Sequence, residues 1–269
     1  MLRAIVTGLL IFVLAANVWP PLLLALGVKY SVPAEASFLG LFVWWAGGGG
    51  PPKKTTSDRR IAFRRGKLSA AQWGWGMAAA LSFAITVHSA LVVLFRFEPF
   101  PLEMFRSGYD LSFIPSLTLK WIAVVVSAVS AGICEETAFR GYMQRPIEMA
   151  IGVPTAIFVS SLFFTLVHLS QGWAIPGILP IVFSAGILLG ILAWSSRSLV
   201  PGMVGHVIMD IGLFAYWWTG LAGDFTTRPI AETGPDKAFL IACGVFGSAI
   251  AAFLFSVARL RTCIADCDR

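Results

Sequence analysis

The chain has 269 residues, of which 57% are hydrophobic and only 13% are charged. A soluble domain of this length would carry about 25% charged residues, so the composition excludes an ordinary soluble protein and indicates a chain that crosses a membrane several times. The formal net charge of +6 reports on the orientation of the chain in that membrane. It does not indicate nucleic-acid binding, which would need a folded basic surface.

Stretches of about 20 mostly apolar residues are long enough to cross a bilayer as helices. Pro20 and Pro21 are expected to kink or split the first stretch. That stretch could be mistaken for a secretory signal, but its length and the absence of a small-residue cleavage site favour a retained span, with removal as the alternative. The predicted fold is all-α, a polytopic membrane helical bundle of about eight transmembrane helices at 4–27, 33–48, 70–95, 117–144, 153–170, 177–196, 199–219 and 237–260.

The loop PPKKTTSDRRIAFRRGK (51–67) has seven basic residues and one acidic residue. Lys and Arg concentrate in cytoplasmic loops, so this loop and both termini are predicted to be cytoplasmic, and the protein to be a multi-pass protein of a bacterial inner membrane. The predicted organisation has four parts: N-terminal transmembrane helices (1–50), a basic cytoplasmic loop (51–69), a transmembrane core (70–260) and a cytoplasmic tail (261–269).

Three charges fall inside the fourth predicted span, in the stretch CEETAFRGY (134–142). Charges inside membrane helices are costly, and they are usually paired and functional. Glu136 and Arg140 are four residues apart in the order that favours an ion pair, whereas Glu135 is rotated by about 100° from Glu136 and has no local partner. The spacing therefore predicts one neutralised carboxylate and one that is free to react. The alternative is that Glu135 caps a helix or faces cytoplasmic water.

Two of the three histidines are predicted to approach Glu135. Glu135 lies 17 residues before Gly152 and His168 lies 16 residues after it, so in an antiparallel hairpin both stand roughly 25 Å from the turn. His206 lies in the same half of the membrane, and Asp210 is one helical turn further along the same face. These four side chains are predicted to converge.

Converging Glu and His side chains suit two chemistries, and the sequence leaves both open. Glu135 can act as a general base that activates water, with the histidines orienting the water or stabilising an oxyanion. Alternatively, Glu135, His168 and His206 can bind Zn²⁺, which would lower the pKa of a bound water. Phe164, one turn before His168, is expected to pack against that ring. His88 has no ionisable residue near it in the sequence and is predicted to make an interhelical hydrogen bond.

Three motifs resemble those of the CPBP family, which groups CAAX prenyl endopeptidases with bacterial Abi-like proteins. EETAFRG resembles its EExxxR motif, FTLVH its FxxxH motif and HVIMD its HxxxN/D motif, in the expected order within 117–219. The resemblance implies an all-helical intramembrane endopeptidase. It implies that Glu135 activates water, that His168 positions it, and that His206 and Asp210 line the oxyanion site.

The same resemblance gives Glu136 and Arg140 a structural or substrate-holding role. The family has been described both as metalloproteases and as glutamate-type proteases, so a requirement for Zn²⁺ stays open. Asp210 stands where eukaryotic members tend to have Asn. An Asp there is a poorer oxyanion donor unless it is protonated, and a better metal ligand.

The sequence thus favours an endopeptidase that hydrolyses a peptide bond of a membrane-associated or lipidated protein or peptide. Its expected partners are that substrate and membrane lipids, with no nucleic acid. The first alternative is a non-catalytic membrane scaffold or bacteriocin-immunity-type protein on the same fold. A transporter that uses Glu135 and the histidines as a proton relay would be expected to show repeated halves, and the sequence shows no such repeat.

Overall fold

The computed structural model describes residues 1–64, 66–169 and 177–267, and for 265–267 it describes the backbone alone. Arg65 of the basic loop, Ser170 at the predicted end of the fifth span and residues 268–269 of the predicted tail lie outside the described residues. Within the described ranges the regular structure is helical, which confirms the all-α prediction. The α-helices are α1 (Leu2–Ile11), α2 (Trp19–Ala46), α3 (Thr56–Ala62), α4 (Ala70–Leu94), α5 (Leu102–Gly108), α6 (Leu117–Glu135), α7 (Arg145–Ile151), α8 (Val153–His168), α9 (Ile178–Ser196), α10 (Val200–Gly212), α11 (Ile230–Thr233) and α12 (Lys237–Cys267).

Three π-helical segments, Phe12–Ala16, Glu136–Gln144 and Leu213–Trp218, directly follow α1, α6 and α10. In the described part of the chain, six helical segments are long and apolar enough to cross a membrane. The polytopic helical bundle is therefore confirmed. The six segments are Leu2–Ala46, Ala70–Leu94, Leu117–Ile151, Ile178–Ser196, Val200–Trp218 and Lys237–Ile264, and the shorter apolar helix Val153–His168 stands beside them.

The first of these segments has two arms. The helix breaks at Asn17, and the next helix begins with Pro20 and Pro21 in its first turn, as the two prolines predict. Gly27 then interrupts α2 with φ 66° and ψ 168°, a left-handed backbone that glycine adopts without a steric penalty. Residues on either side of this break, Ala15 and Leu39, pack in one cluster with Cys134 of α6. The arms 2–26 and 28–46 thus correspond to the two predicted N-terminal spans.

Helix α10 lies at the centre of the bundle and packs against α6, α4 and α9, while α8 packs against α9. Glycines permit the closest of these approaches. A Cβ atom on Gly132 of α6 would lie 2.6 Å from Cγ2 of Val207 on α10, and one on Gly205 would lie 3.2 Å from Cα of Ala80 on α4. The backbones of α6 and α10 are therefore close at the level where both carry ionisable side chains.

The basic loop folds back against one end of the bundle. The guanidinium of Arg59 donates hydrogen bonds to the carbonyls of Trp45, Gly49 and Gly50. Arg64 pairs with Glu148 of α7 at 2.5 Å. Both arginines are buried, so part of the charge that predicted a cytoplasmic loop also holds the loop to the bundle. The cytoplasmic position of this loop stays a prediction.

Candidate active site

The motif-bearing segment changes helix type at its two glutamates. Helix α6 ends at Glu135, and the next nine residues, Glu136–Gln144, form a π-helix whose members are all buried. The α-helical periodicity assumed for this stretch was therefore wrong beyond Glu135. π-helical turns are wider than α-helical turns and are frequent at functional sites. Glu135 and Glu136 are both buried, the latter completely.

Glu136 and Arg140 form the predicted ion pair. Oε1 of Glu136 lies 2.9 Å from Nη1 of Arg140, and neither side chain is exposed. Arg140 also donates a hydrogen bond from Nη2 to the carbonyl of Gly186 at 3.2 Å, and its guanidinium carbon stands 4.4 Å from the centre of the Phe164 ring. A charge this deeply buried is strongly destabilising without its partner. The contacts of the paired Arg140 with Gly186 and Phe164 hold the π-helical segment against α9 and α8.

His206 lies among three carboxylates. Its Nδ1 is 3.0 Å from Oε1 of Glu136, while its Nε2 is 3.4 Å from Oδ2 of Asp210 and 4.0 Å from Oε2 of Glu135. A carboxylate accepts hydrogen bonds, so Nδ1 donates to Glu136. The other ring nitrogen is thereby directed towards Glu135 and Asp210.

His168 approaches Glu135 from α8. Its Nε2 lies 3.9 Å from Oε2 of Glu135, and its Nδ1 lies 2.6 Å from the carbonyl oxygen of Phe164. A carbonyl can only accept, so Nδ1 carries the proton. The Phe164 ring lies 4.6 Å from the His168 ring and 6.0 Å from the His206 ring, measured between centres. Phe164 therefore supports both histidines as well as Arg140.

The structure thus brings together the four side chains that the sequence predicts to converge. Glu135, His168, His206 and Asp210 all line a cavity of about 80 Å³, with Phe164 at its wall. A cavity of this size has room for a few water molecules. Oε2 of Glu135 is buried and has no hydrogen-bond partner among the described residues. A buried carboxylate oxygen without a hydrogen-bond partner is costly. Here the oxygen faces a cavity that is large enough to hold a water molecule as that partner.

The atoms proposed as Zn²⁺ ligands stand further apart in this arrangement than the ligands of a bound zinc ion do. Tetrahedral zinc with bonds of about 2.0–2.2 Å holds neighbouring ligand atoms only about 3.3 Å apart. Oε2 of Glu135 lies 3.9 Å and 4.0 Å from the Nε2 atoms of His168 and His206. Across the residues that the structure describes, no group of three or more His, Cys, Asp or Glu side chains could hold a metal ion.

His88 lies outside this site and joins two helices, as predicted. Its Nδ1 accepts a hydrogen bond from the indole of Trp217, and its Nε2 lies 3.1 Å from the carbonyl oxygen of Met209. A carbonyl accepts, so Nε2 carries the proton and donates. His88 therefore fastens α4 to the helix that carries His206 and Asp210.

One ionisable residue near the site was missed in the sequence. Glu35, in the second N-terminal arm, is completely buried. Its Oε1 accepts a hydrogen bond of 2.6 Å from Ser130 of α6, and its Oε2 has no partner among the described residues. The signal was present, because an isolated carboxylate in an apolar span is a candidate functional residue by default.

Together these features define a polytopic helical membrane protein with a buried site of carboxylates and histidines. Residues 116–212 match the family model described as type II CAAX prenyl endopeptidase Rce1-like. The match contains all three motifs, so this segment of the chain is similar to the CAAX protease family. Members of such a family are proteases and act on proteins or peptides in a membrane setting. No curated protein and no solved structure matches the chain.

Proposed function

We propose that this protein is an intramembrane endopeptidase that hydrolyses a peptide bond of a membrane-associated or lipidated protein or peptide. The observation that carries the proposal is the position of Glu135. Its Oε2 has no hydrogen bond among the described residues and faces the Nε2 atoms of two histidines at 3.9 Å and 4.0 Å. This is the arrangement of a general base beside groups that can hold its water.

The distances around Glu135 suit a shared water molecule better than direct contact. Separations of 3.9 Å and 4.0 Å are too long for direct hydrogen bonds and somewhat shorter than the distance of about 4.4 Å between two groups that one water bridges with hydrogen bonds of about 2.8 Å. In the proposed reaction, Glu135 takes a proton from this water, and the oxygen attacks the carbonyl carbon of the scissile bond. His168, whose Nε2 lies 3.9 Å from Oε2 of Glu135, is proposed to orient the attacking oxygen.

His206 is proposed to stabilise the oxyanion that forms on the attacked carbonyl. Its Nδ1 faces Glu136, so a proton on Nε2 as well would make that nitrogen a donor, and the carboxylates of Glu135, Glu136 and Asp210 would balance the charge of the imidazolium. A donor already held in place is worth far more than one that must reorient during the reaction. The tetrahedral intermediate then collapses, the carbon–nitrogen bond breaks, and Glu135 returns its proton to the leaving amine.

The remaining members of the site are proposed to hold this arrangement. Asp210 orients Nε2 of His206, and Glu136 orients Nδ1. Arg140 neutralises Glu136, and Phe164 supports both imidazole rings. With the basic loop on the cytoplasmic side, the reaction takes place in the half of the membrane nearer the cytoplasm. The mechanism uses no step that passes through a metal ion.

The test compares protein termini in membranes of the native host that carry wild type or Glu135→Gln at equal expression. Gln keeps the shape of Glu but cannot accept a proton. The matched control is Glu103→Gln, because Glu103 is an exposed residue of α5. New N-termini present with wild type and Glu103→Gln, and absent with Glu135→Gln, would support the proposal and identify the substrate. Identical termini in all three membranes would favour the non-catalytic scaffold.

A further inference from the structure

His88 takes no part in the proposed reaction, yet both of its ring nitrogens are engaged beside the active site. Its Nδ1 accepts a hydrogen bond of 3.1 Å from the indole of Trp217, and its Nε2 donates to the carbonyl oxygen of Met209 at 3.1 Å. An indole can only donate and a carbonyl can only accept, so one state of the ring satisfies both bonds, the neutral imidazole with its proton on Nε2. With both nitrogens used in this way, His88 is placed to hold structure rather than to exchange protons.

The two bonds reach either side of the point where α10 changes helix type. Met209 lies in α10, directly before Asp210, whereas Trp217 lies in the π-helical segment Leu213–Trp218. The i to i−4 hydrogen bonding of an α-helix gives way to i to i−5 bonding at such a change. His88 therefore bridges the place where the helix's own hydrogen bonds change their pattern.

Gly212, the last residue of α10, makes room for the His88 ring. A Cβ atom on Gly212 would lie 2.7 Å from Cε1 of His88, which is too close for an ordinary contact. Two turns earlier, a Cβ atom on Gly205 would lie 3.2 Å from Cα of Ala80 on α4. The two helices thus approach closely at both levels, and at the second level His88 fixes them with a hydrogen bond.

The two helices that His88 joins both form walls of the active-site cavity. The residues that they contribute to its lining are Val87, Leu91, His206, Met209 and Asp210. Nε2 of His206 lies 3.4 Å from Oδ2 of Asp210 and 4.0 Å from Oε2 of Glu135 on α6. A shift of α10 at Met209 would change the second of these distances, and displacements of about 1 Å near reacting groups can reduce rates about 100-fold.

We propose that His88 is a positioning residue that acts on the active site through α10. By bridging Met209 and Trp217, it holds this helix at the level where Nε2 of His206 faces Glu135. The effect on cleavage rests on the proposed protease function, whereas the effect on the His206 ring can be measured without a substrate. A residue that only stabilised the fold would lower the unfolding temperature and leave the His206 ring unchanged.

Three substitutions separate the two hydrogen bonds of His88. Gln places its amide nitrogen about where Nε2 of the imidazole stands, so His88→Gln keeps a donor for Met209. Asn is one methylene shorter, so His88→Asn keeps only an acceptor for Trp217, and His88→Phe keeps a ring with neither group. The control is Thr86→Val, because Thr86 is buried on the same helix and its hydroxyl donates to the carbonyl of Ser82 one turn earlier.

The first measurement is the nuclear magnetic resonance of the imidazole rings, in detergent-solubilised protein whose histidines carry nitrogen-15. The chain has three histidines, and the signals missing from His88→Phe and from His168→Gln identify two of them, which leaves those of His206. We expect the Nδ1–H signal of His206, which is directed at Glu136, to move in His88→Phe and His88→Asn. It should stay in place in His88→Gln and Thr86→Val.

An unmoved His206 signal in folded His88→Phe would overturn the proposal, whatever the change in unfolding temperature. His88→Asn keeps a polar group at this position and decides the question if His88→Phe does not fold. A signal that moves equally in His88→Gln and His88→Phe would also overturn it, because the donor to Met209 would then not be what holds α10.

The second measurement is steady-state cleavage of the protein identified by the Glu135 comparison. His88→Phe and His88→Asn should lower kcat by about 10–100-fold with KM nearly unchanged, as for other residues that orient a functional histidine, and His88→Gln should retain most of the wild-type kcat. A rise in KM at constant kcat would overturn the positioning role. If wild type cleaves no protein at all, the proposed protease function fails, and the His206 signals still decide whether His88 positions the site.

Discussion

Oε1 of Glu136 lies 3.0 Å from Nδ1 of His206, on a helix 70 residues further along the chain. The same oxygen also lies 2.9 Å from Nη1 of Arg140. One carboxylate oxygen therefore joins the buried cation to the histidine. This assigns different work to two adjacent glutamates, because Glu136 orients the imidazole whereas Glu135 faces the cavity.

Replacing Glu136 by Gln should lower kcat and leave KM nearly unchanged. The amide can turn its NH₂ group towards His206, which would favour the wrong tautomer, and it no longer balances the positive charge. Residues that orient a functional histidine typically contribute about 10–100-fold in activity. The measurement is steady-state cleavage by the reconstituted protein. A rise in KM at constant kcat would instead show that Glu136 holds the substrate.

Replacing Arg140 by Met should destabilise the fold strongly. It leaves Glu136 buried with only His206 as a partner, and breaking a buried pair in this way costs about 3–5 kcal/mol. The control is Arg228→Met, since Arg228 pairs with Glu232 at the same spacing of four residues but both side chains are largely exposed. Thermal unfolding in detergent should show a large drop for Arg140→Met and no measurable change for Arg228→Met. Equal effects would contradict the assigned role of the pair.

Gly132→Ala should reduce activity by separating α6 from α10. The new Cβ atom would lie 2.6 Å from Cγ2 and 3.2 Å from the backbone nitrogen of Val207, so the helices must move apart just before Glu135 and just after His206. Displacements of about 1 Å near reacting groups can reduce rates about 100-fold. Gly244→Ala on α12 is the control, because its Cβ would meet no atom within 4 Å. If Gly132→Ala cleaves as fast as Gly244→Ala, the site does not depend on this close approach.

Treatment with 1,10-phenanthroline should leave cleavage intact. The proposed mechanism activates water with Glu135 alone, and the separations of 3.9 Å and 4.0 Å between Glu135 and the two histidines exceed the distance of about 3.3 Å between neighbouring zinc ligands. Cleavage is measured before and after chelation, and again after the addition of Zn²⁺. A loss that Zn²⁺ restores would show that the metal-dependent alternative is the correct one.

Local spacing was enough to predict part of this site. The ion pair of Glu136 and Arg140 follows from their separation of four residues, which keeps two side chains adjacent in either helix type. The approach of His168 to Glu135 follows from their nearly equal distances from Gly152, where α7 ends and α8 begins. Both inferences needed only helix geometry and one turn.

Contacts between distant segments could not be obtained in this way. The Glu35–Ser130 bond joins residues 95 positions apart, and no periodicity specifies which helix lies beside which. The π-helix at Glu136–Gln144 was missed because its extra residue per turn is stabilised by tertiary packing around completely buried side chains, which the amino-acid pattern does not encode. The break in α2 at Gly27 could not be predicted either, because a glycine within an apolar run is also compatible with a continuous helix.

Arg96 and Asp236 tie the end of α4 to the start of α12, outside the membrane-spanning segments. Arg96 donates from Nη1 and Nη2 to the two carboxylate oxygens of Asp236, each at 2.9 Å, and its carbonyl accepts from the backbone N–H of Ile230 at 2.8 Å. Hydrogen bonding from Arg96 lowers the pKa of Asp236 from 3.8 to about 2. The segment between Arg96 and α12 is therefore held by a charge that persists to low pH.

A depressed folded-state pKa stabilises the protein above the unfolded value, and this stabilisation is lost as the pH falls through the folded value. The gap in unfolding temperature between wild type and Asp236→Asn should therefore be full above about pH 4 and shrink towards zero near about pH 2. The comparison uses thermal unfolding of the detergent-solubilised protein across this range. The control is Asp58→Asn, at an exposed position of α3. A gap that stays constant as the pH falls would contradict this prediction, because the contribution of Asp236 would then not depend on its ionisation.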